Sequence, residues 1–425
     1  MTSTQPLFLL GAGASKDAGL PLASEITARA LDQIGSPGDF EVPAAALLNY
    51  IVSAIIGHHG RYGLRPDLPD IETVVSAVEL LMERQGLEIV PFVQAWDGAV
   101  GSIGAHKTGR PVPKSYFPER AARSDQTVTR PELNAYGKEL AGYVFEELER
   151  RDIQGNEDTY RDLHLRLMRD LRTTLAIQDQ STLDYLIPLV NHAASGASVI
   201  TTLNYDLTVE TAADTQGLSV SRGVGSWPVT GQLHFESGAL KLIKLHGSLD
   251  WTYQRKRPSW VDHEYRMDPD PFVPRSPSDH EEPAVIYGRR GKLRPQGPFL
   301  DLRAEFARCL GKTDCLAVVG YSFQDDHVNE VIRSWLRRKE TRWIVVVDPN
   351  LPIGMTYRYG NAFLDEIARL NPWPNHPRER HRFYPIAATA AETLPRLCRE
   401  SNALRDSLLD VEALWDEPFH PEAIE

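Results

Sequence analysis

The chain has 425 residues, 42% hydrophobic and 24% charged, the proportions of a folded globular protein and not of a disordered or fibrous one, and long enough for two or three domains. A formal net charge of −12 argues against a general nucleic-acid binder, because phosphate backbones are held by basic surfaces. Three cysteines, Cys309, Cys315 and Cys398, form no CxxC pair, which argues against a disulfide framework and a structural zinc site and fits a reducing, cytoplasmic setting.

In chain order, residues 5–30 predict a strand, a glycine loop and a helix. The apolar run Leu7–Leu10 leads into Gly11-Ala12-Gly13-Ala14-Ser15, Ser15 can cap the helix, and residues 23–31 have helical spacing. That first run is too short for a secretory leader and lacks a basic flank. From about 40 to 195 the pattern turns helical, with helices expected over 71–83, 133–150 and 160–175 and a long loop over 101–131. An α/β pattern resumes near Ser198. SVITTL runs into Asn204-Tyr205-Asp206, LKLIKL into His246-Gly247-Ser248, Cys315–Val319 into Gly320-Tyr321-Ser322-Phe323, and Trp343–Val347 into Asp348-Pro349-Asn350. These make five expected strands, each ending in polar or glycine residues. Residues 254–283 read as a surface loop, and the acidic tail from about 402 as a docking helix or a frayed end. No apolar stretch approaches the ~18 residues of a membrane span, and no internal repeat is present. The expected fold class is α/β, a Rossmann-like parallel sheet with a large helical insertion. Residues 1–35 and 196–400 would form the sheet domain, 36–195 the insertion and 401–425 the tail.

Ligands of open α/β sheets bind where strands end, so the glycine loop, the Asn/Asp pair and the histidine should meet in one crevice. The loop offers backbone N–H groups and a helix N-terminus to an anion. It is neither the dehydrogenase fingerprint, since Lys16 stands where the third glycine would, nor a Walker A loop. Its plain alternative is an ordinary strand–helix turn. Asn204 offers a donor and an acceptor to sugar hydroxyls or a water, and Asp206 can hold a carboxamide or an imidazole; alternatively the pair closes an Asx turn. His246 can act as a general base near neutral pH, or simply pack locally. Gly320 and Ser322 suit a ribose or a phosphate. Asp325 and Asp326 read best as a helix N-terminus. The basic groups 255–257, 289–292 and 337–339 read as solvated faces or interface charges.

Together these motifs resemble a known family. GAGAS followed by GLP resembles the sirtuin GAGxSxxxGIP loop, TLNYD the sirtuin Asn-x-Asp element, and KLHGS the segment carrying the sirtuin histidine. VVGYSFQDDHVNEVI resembles the GYSF-D-x-HxN element of the sirtuin-like NADases of bacterial anti-phage defence. Pro69-Asp70-Ile71-Glu72 with Val75-Ser76-Ala77, and KLRPQGPFLDL, resemble two further segments of that family. Two departures separate the chain from sirtuin deacylases: Pro21 is followed by Leu22-Ala23-Ser24 where they carry Asp-Phe-Arg, and a four-cysteine zinc ribbon cannot be built.

The resemblance implies NAD as substrate with no metal, cleaved at the nicotinamide–ribose bond. It places the pyrophosphate on Gly11, Ala12, Gly13 and Ser15. Asn204 would position the ribose hydroxyls or the attacking water, Asp206 would hold the carboxamide, and His246 would be the base. Gly320 and Ser322 would meet the adenosine ribose, with Asp348 or Asn350 near the adenine. It further implies a homo-oligomer gated by assembly or by an infection-sensing partner such as a DNA-translocase-type ATPase, with any nucleic-acid contact indirect. The alternatives are a catalytically silent NAD- or ADP-ribose-sensing scaffold and, more distantly, a protein deacylase.

Overall fold

Short runs of apolar and β-branched residues form the strands, and burial on both faces is what makes them parallel-sheet strands. The structure, a computed structural model, describes residues 6–34, 43–62, 68–83, 157–253, 271–278, 281–286, 297–352, 359–371 and 381–399. The strands are β1 (Leu7–Leu10), β2 (Val199–Thr202), β3 (Val220–Ser221), β4 (Leu240–Lys244), β5 (Gly247–Tyr253), β6 (Phe272–Val273), β7 (Pro283–Val285), β8 (Cys315–Val319), β9 (Trp343–Val347) and β10 (Phe383–Ile386). Seven of them form one sheet in the order β10-β9-β8-β1-β2-β4-β3, parallel at every pairing. Every residue of β1, β8 and β9 is buried. A second, three-stranded sheet, β6-β5-β7, is antiparallel where its pairings are formed.

The sheet grows from β1 outward through β2, β4 and β3, then the chain returns to lay β8, β9 and β10 on the other side of β1. The direction of growth therefore reverses between β1 and β8, the topological switch point at which α/β sheets bind ligands.

The chain divides into two compact units, residues 1–20 with 175–425, and residues 21–174, against boundaries expected at 35 and 196. The described part of the second unit is helical: α1 (Ala23–Gln33), α2 (Pro43–Arg61), α3 (Ile71–Met82) and α4 (Glu157–Thr174). α3 buries Ile71, Val74, Val75 and Val78, one stripe at helical spacing, and Asp70 caps it by accepting from the Thr73 N–H at 2.6 Å. The first unit adds α5 (Ile187–Ala194), α6 (Thr208–Thr215), α7 (Trp227–Thr230), α8 (Phe299–Leu310), α9 (Asp326–Arg338), α10 (Ala362–Ala368) and α11 (Ala390–Arg399). α9 turns Val328, Ile332, Trp335 and Leu336 inward, again at i, i+4, i+7 and i+8. Among the described residues no helix is long and apolar enough to cross a membrane.

All five expected strands are present, and so are the helices expected at 71–83 and 160–175. Three expectations need correction. Ser15 does not cap a helix: it ends a single 3-10 turn, Ala12–Ser15, and α1 starts at Ala23, because Gly19 (φ 79°) and Pro21 interrupt the chain between them. The loop expected over 254–283 contains β6, whose Phe272 is fully buried against Trp251 in an edge-to-face contact of 5.6 Å; the surrounding Pro, Asp and Arg residues masked two apolar positions. β3, β5, β7 and β10 were also not expected: β3 and β10 are short runs that carry a serine and a proline, and β5 and β7 alternate or mix apolar with polar and proline residues. The helix over 133–150, the loop over 101–131 and the tail lie outside the described residues.

Candidate active site

At the switch point the ends of β1 and β8 are joined backbone to backbone. Gly11 N–H donates to Val319 O (2.9 Å) and Gly13 N–H to Gly320 O (2.8 Å). The approach leaves no room for side chains. A Cβ on Gly11 would lie 2.6 Å from Gly320 O, and one on Gly320 would lie 2.2 Å from Ala14 N; Gly320 also has φ +65°. The glycines expected to open the loop to a phosphate thus serve this crossing, and the N–H groups of Gly11 and Gly13 are already taken. Ala12 is the exposed member of the loop.

Ser15 turns inward. Its hydroxyl donates to Asp206 Oδ2 (2.8 Å) and accepts from Asn204 Nδ2 (2.9 Å), which also donates to Gly11 O (2.9 Å). Asp206 Oδ1 accepts from the Thr208 N–H (3.0 Å) and the Thr208 hydroxyl (2.7 Å). Three donors on two oxygens leave one lone-pair direction on Oδ2 for a ligand. The loop after β1 and the loop after β2 are thereby locked through three buried polar side chains, Ser15, Asn204 and Asp206.

Buried groups support this cluster from behind. Tyr185 donates to Ala14 O, and its phenol is pushed well above the ordinary value by burial and then by the Asp206 and Asp17 carboxylates, so it stays a donor. Lys244, the last residue of β4, is fully buried and donates to Asp206 O and to Glu210 Oε1 (2.9 Å). Arg222 lies 3.6 Å from Glu210 and holds both oxygens of Asp250 at 2.7 Å. Burial raises the Asp250 carboxyl, but Arg222, Ser248 and Lys244 outweigh it and hold it below the usual carboxylate range. Replacing Lys244 with methionine keeps the stem, strands the Asp206 carbonyl and leaves Glu210 with Arg222 at 3.6 Å. A loss of about 2 kcal/mol in urea unfolding is expected; unchanged stability would show that the ammonium is dispensable.

His246 follows β4, and its Nε2 lies 2.8 Å from Asp325 Oδ2, both groups buried. Asp325 reaches it from beyond β8, three inter-strand steps away, about 14 Å at sheet level. The segment after Gly320 therefore crosses over the ends of β1 and β2. Asp325 Oδ1 at the same time caps α9, accepting from His327 N–H (2.9 Å) and Val328 N–H (3.2 Å).

The structure thus links Asn204 and Asp206 through Ser15, joins Gly11 to Val319 and Gly13 to Gly320, and pairs His246 with Asp325. It does not bond the remaining expected residues to this cluster. Ser322 is exposed, Asp348 accepts from Asn350 N–H (2.8 Å) in a turn after β9, and Asn350 is exposed. Asp325 was read as a helix cap, which it is, and its second oxygen was missed. Lys244 and Thr208 were missed too. A lysine inside a run of buried strand residues signals a paired ammonium, because an unpaired one is rarely buried. Arg337 and Lys339 form the exposed ion pairs expected of a solvated face, with Glu366 (3.3 Å) and Asp314 (3.4 Å). The other two basic groups lie outside the described residues. Among the described residues no group of three or more His, Cys, Asp or Glu side chains is placed to hold a metal ion.

Residues 198–359 match the family model of the SIR2-like domain, a span that holds Asn204, Asp206, His246 and Asp325 but not the glycine loop. No curated protein sequence matches the chain. Among solved structures the chain is similar to a Sir2 homologue mutant in complex with ADP-ribose, at 12% identity over 93% of this chain and 91% of that one, with a TM-score of 0.35. It is also similar to a Sir2 homologue in complex with NAD, at 13% identity over 59% and 77% of the two chains, with a TM-score of 0.33. A third, a Sir2 enzyme bound to a propionylated peptide, is 12% identical over 58% and 82%, with a TM-score of 0.31.

Proposed function

We propose that this crevice hydrolyses NAD at the nicotinamide–ribose bond, giving nicotinamide, ADP-ribose and a proton. The observation that carries the reading is the buried His246–Asp325 pair, 2.8 Å apart, set beside the Ser15–Asn204–Asp206 cluster at the switch point of a parallel sheet. A pure binding module has no need of a histidine held by a carboxylate. The SIR2-like match over 198–359 supports NAD as the substrate.

Nicotinamide leaves as a neutral base, so the ribose develops oxocarbenium character and the protein has to orient a nucleophile and favour positive charge at C1′. Asn204 would fix the ribose hydroxyls or the water, Asp206 would take the carboxamide on its remaining lone pair, and His246 would draw the proton. Ala12, with the rest of the 11–15 loop, would face the pyrophosphate. Gly320 and Ser322 would meet the adenosine ribose, and Asp348 or Asn350 the adenine. Incubating the purified chain with NAD and separating the products tests the reading. Nicotinamide and ADP-ribose should appear in equal amounts. NAD bound with no turnover by any assembly state would favour the sensing scaffold, and nicotinamide release only with an acylated peptide would favour a deacylase.

An unrestrained enzyme of this kind would empty its own cell of NAD. We therefore assign it the role of an anti-phage effector held off until assembly or a partner, of the DNA-translocase ATPase type, switches it on. Turnover per chain is expected to rise at least tenfold in oligomeric fractions, or on adding the partner, over the monomer. A purified monomer at full activity contradicts the gating.

A further inference from the structure

The imidazole of His246 has two nitrogens, and the fold occupies one. Nε2 faces Asp325 Oδ2 with side-chain exposures of 6% and 2%. A carboxylate only accepts, so Nε2 carries the hydrogen and Nδ1 the lone pair. No described residue hydrogen-bonds Nδ1.

The segment that presents Asp325 is closed around it. The Tyr321 hydroxyl accepts from Asp325 N–H (3.1 Å) and donates to Asn329 Oδ1 (3.0 Å), while Asn329 Nδ2 donates to Phe323 O (2.9 Å). Phe323 sits at φ +56°, a left-handed conformation that bulky residues rarely adopt. Its ring is stacked on Phe363 (5.3 Å between centroids) and tilted on Tyr321 (4.6 Å). Four buried groups, Tyr321, Asn329, Phe323 and Phe363, thus fix one carboxylate, and that carboxylate fixes one edge of one imidazole.

We infer that Nδ1 of His246 takes the proton in nicotinamide–ribose cleavage and that Asp325 is the positioning residue that sets this tautomer; the inference rests on the NAD-cleaving reading above. Nδ1 accepts a proton from the water or ribose hydroxyl whose oxygen bonds to C1′. The C1′–N bond breaks and its electron pair leaves on nicotinamide. The Nε2 hydrogen stays bonded to Asp325 while Nδ1 holds the proton, which then passes to solvent.

Asp325→Asn separates the two duties of the carboxylate. The two α9 N–H donors hold the amide oxygen where Oδ1 lies, so the amide NH₂ faces Nε2. The imidazole then has to accept there, its hydrogen moves to Nδ1, and the reacting lone pair is lost. kcat should fall roughly 10²–10⁴-fold with KM within about 3-fold of wild type. The melting temperature should hold, because Asn caps helices as well as Asp. Asp325→Ala loses both cap and partner and should melt lower, yet its imidazole is free to take either tautomer. It should therefore turn over faster than Asp325→Asn, an order that a purely structural role would reverse. A second readout needs no turnover: ¹⁵N-histidine spectra, with the His246 signal assigned by its loss in His246→Ala, should show the Nε2–H tautomer in wild type and Nδ1–H in Asp325→Asn. Wild-type kcat in Asp325→Asn, or an Nδ1–H tautomer in wild type, overturns the inference while leaving the NAD reading standing. If wild type releases no nicotinamide in any assembly state or with the partner, that reading fails and the spectra alone decide the pairing.

Discussion

Replacing His246 with alanine is expected to lower the rate of nicotinamide release by roughly 10²–10⁴, the range for loss of a general base. The argument is positional. His246 sits one residue beyond Leu245, whose N–H still bonds Thr202 O (2.9 Å) in continuation of the parallel ladder, so its backbone is fixed by the sheet and not by its own side chain. Truncation leaves Asp325 Oδ1 on the α9 N-terminus and removes the imidazole from Oδ2. The variant should therefore fold, with a stability cost of about 1–3 kcal/mol from the lost His246–Asp325 hydrogen bond. A thermal melt beside the rate measurement separates lost chemistry from lost structure. Near-wild-type turnover by a folded variant would remove His246 from the mechanism.

Gly320→Ala should have the largest effect on stability. The new Cβ would fall 2.2 Å from Ala14 N and 2.4 Å from Gly13 C, both backbone atoms that cannot rotate away, at a residue with φ +65°. The left-handed conformation and the forced separation of the two strand ends together should cost about 2–5 kcal/mol. Gly231, at φ +63° with nothing within 4 Å of a built Cβ, is the control. Its alanine variant carries only the conformational part, about 1–2 kcal/mol. The difference between the two in urea unfolding measures the crossing itself. Equal losses would mean that the loop after β1 moves away from β8 without cost. Because Gly11 and Gly13 belong to the same crossing, Gly320→Ala should also displace the 11–15 loop and weaken NAD binding.

The strands that build the site were legible because each is a short apolar run stopped by a glycine or a polar residue, and Asn204, Asp206 and His246 were legible because they stand at those stops. What the residues do for one another was not. Gly11 and Gly13 looked like a phosphate cradle, and only the register of β1 on β8 shows them meeting Gly320. Ser15 looked like a helix cap because Ser is a common one, yet the helix starts eight residues later and the hydroxyl belongs to Asp206, 191 positions away in sequence. Asp325 was correctly placed at a helix N-terminus by local dipole reasoning. That reasoning accounts for one carboxylate oxygen and is silent on the second, whose partner lies 79 positions earlier. Local patterns locate functional groups; pairings set by strand order remain hidden until the order is known.

The most direct test of the central claim is nicotinamide release from NAD, measured with NAD binding, for wild type, His246→Ala and Asn204→Ala side by side, under the assembly conditions that give the highest wild-type rate. The account predicts turnover in wild type, its loss in both variants, and NAD binding retained in His246→Ala. Wild type that binds NAD and releases no nicotinamide under any of these conditions, or a folded His246→Ala that matches the wild-type rate, would contradict it.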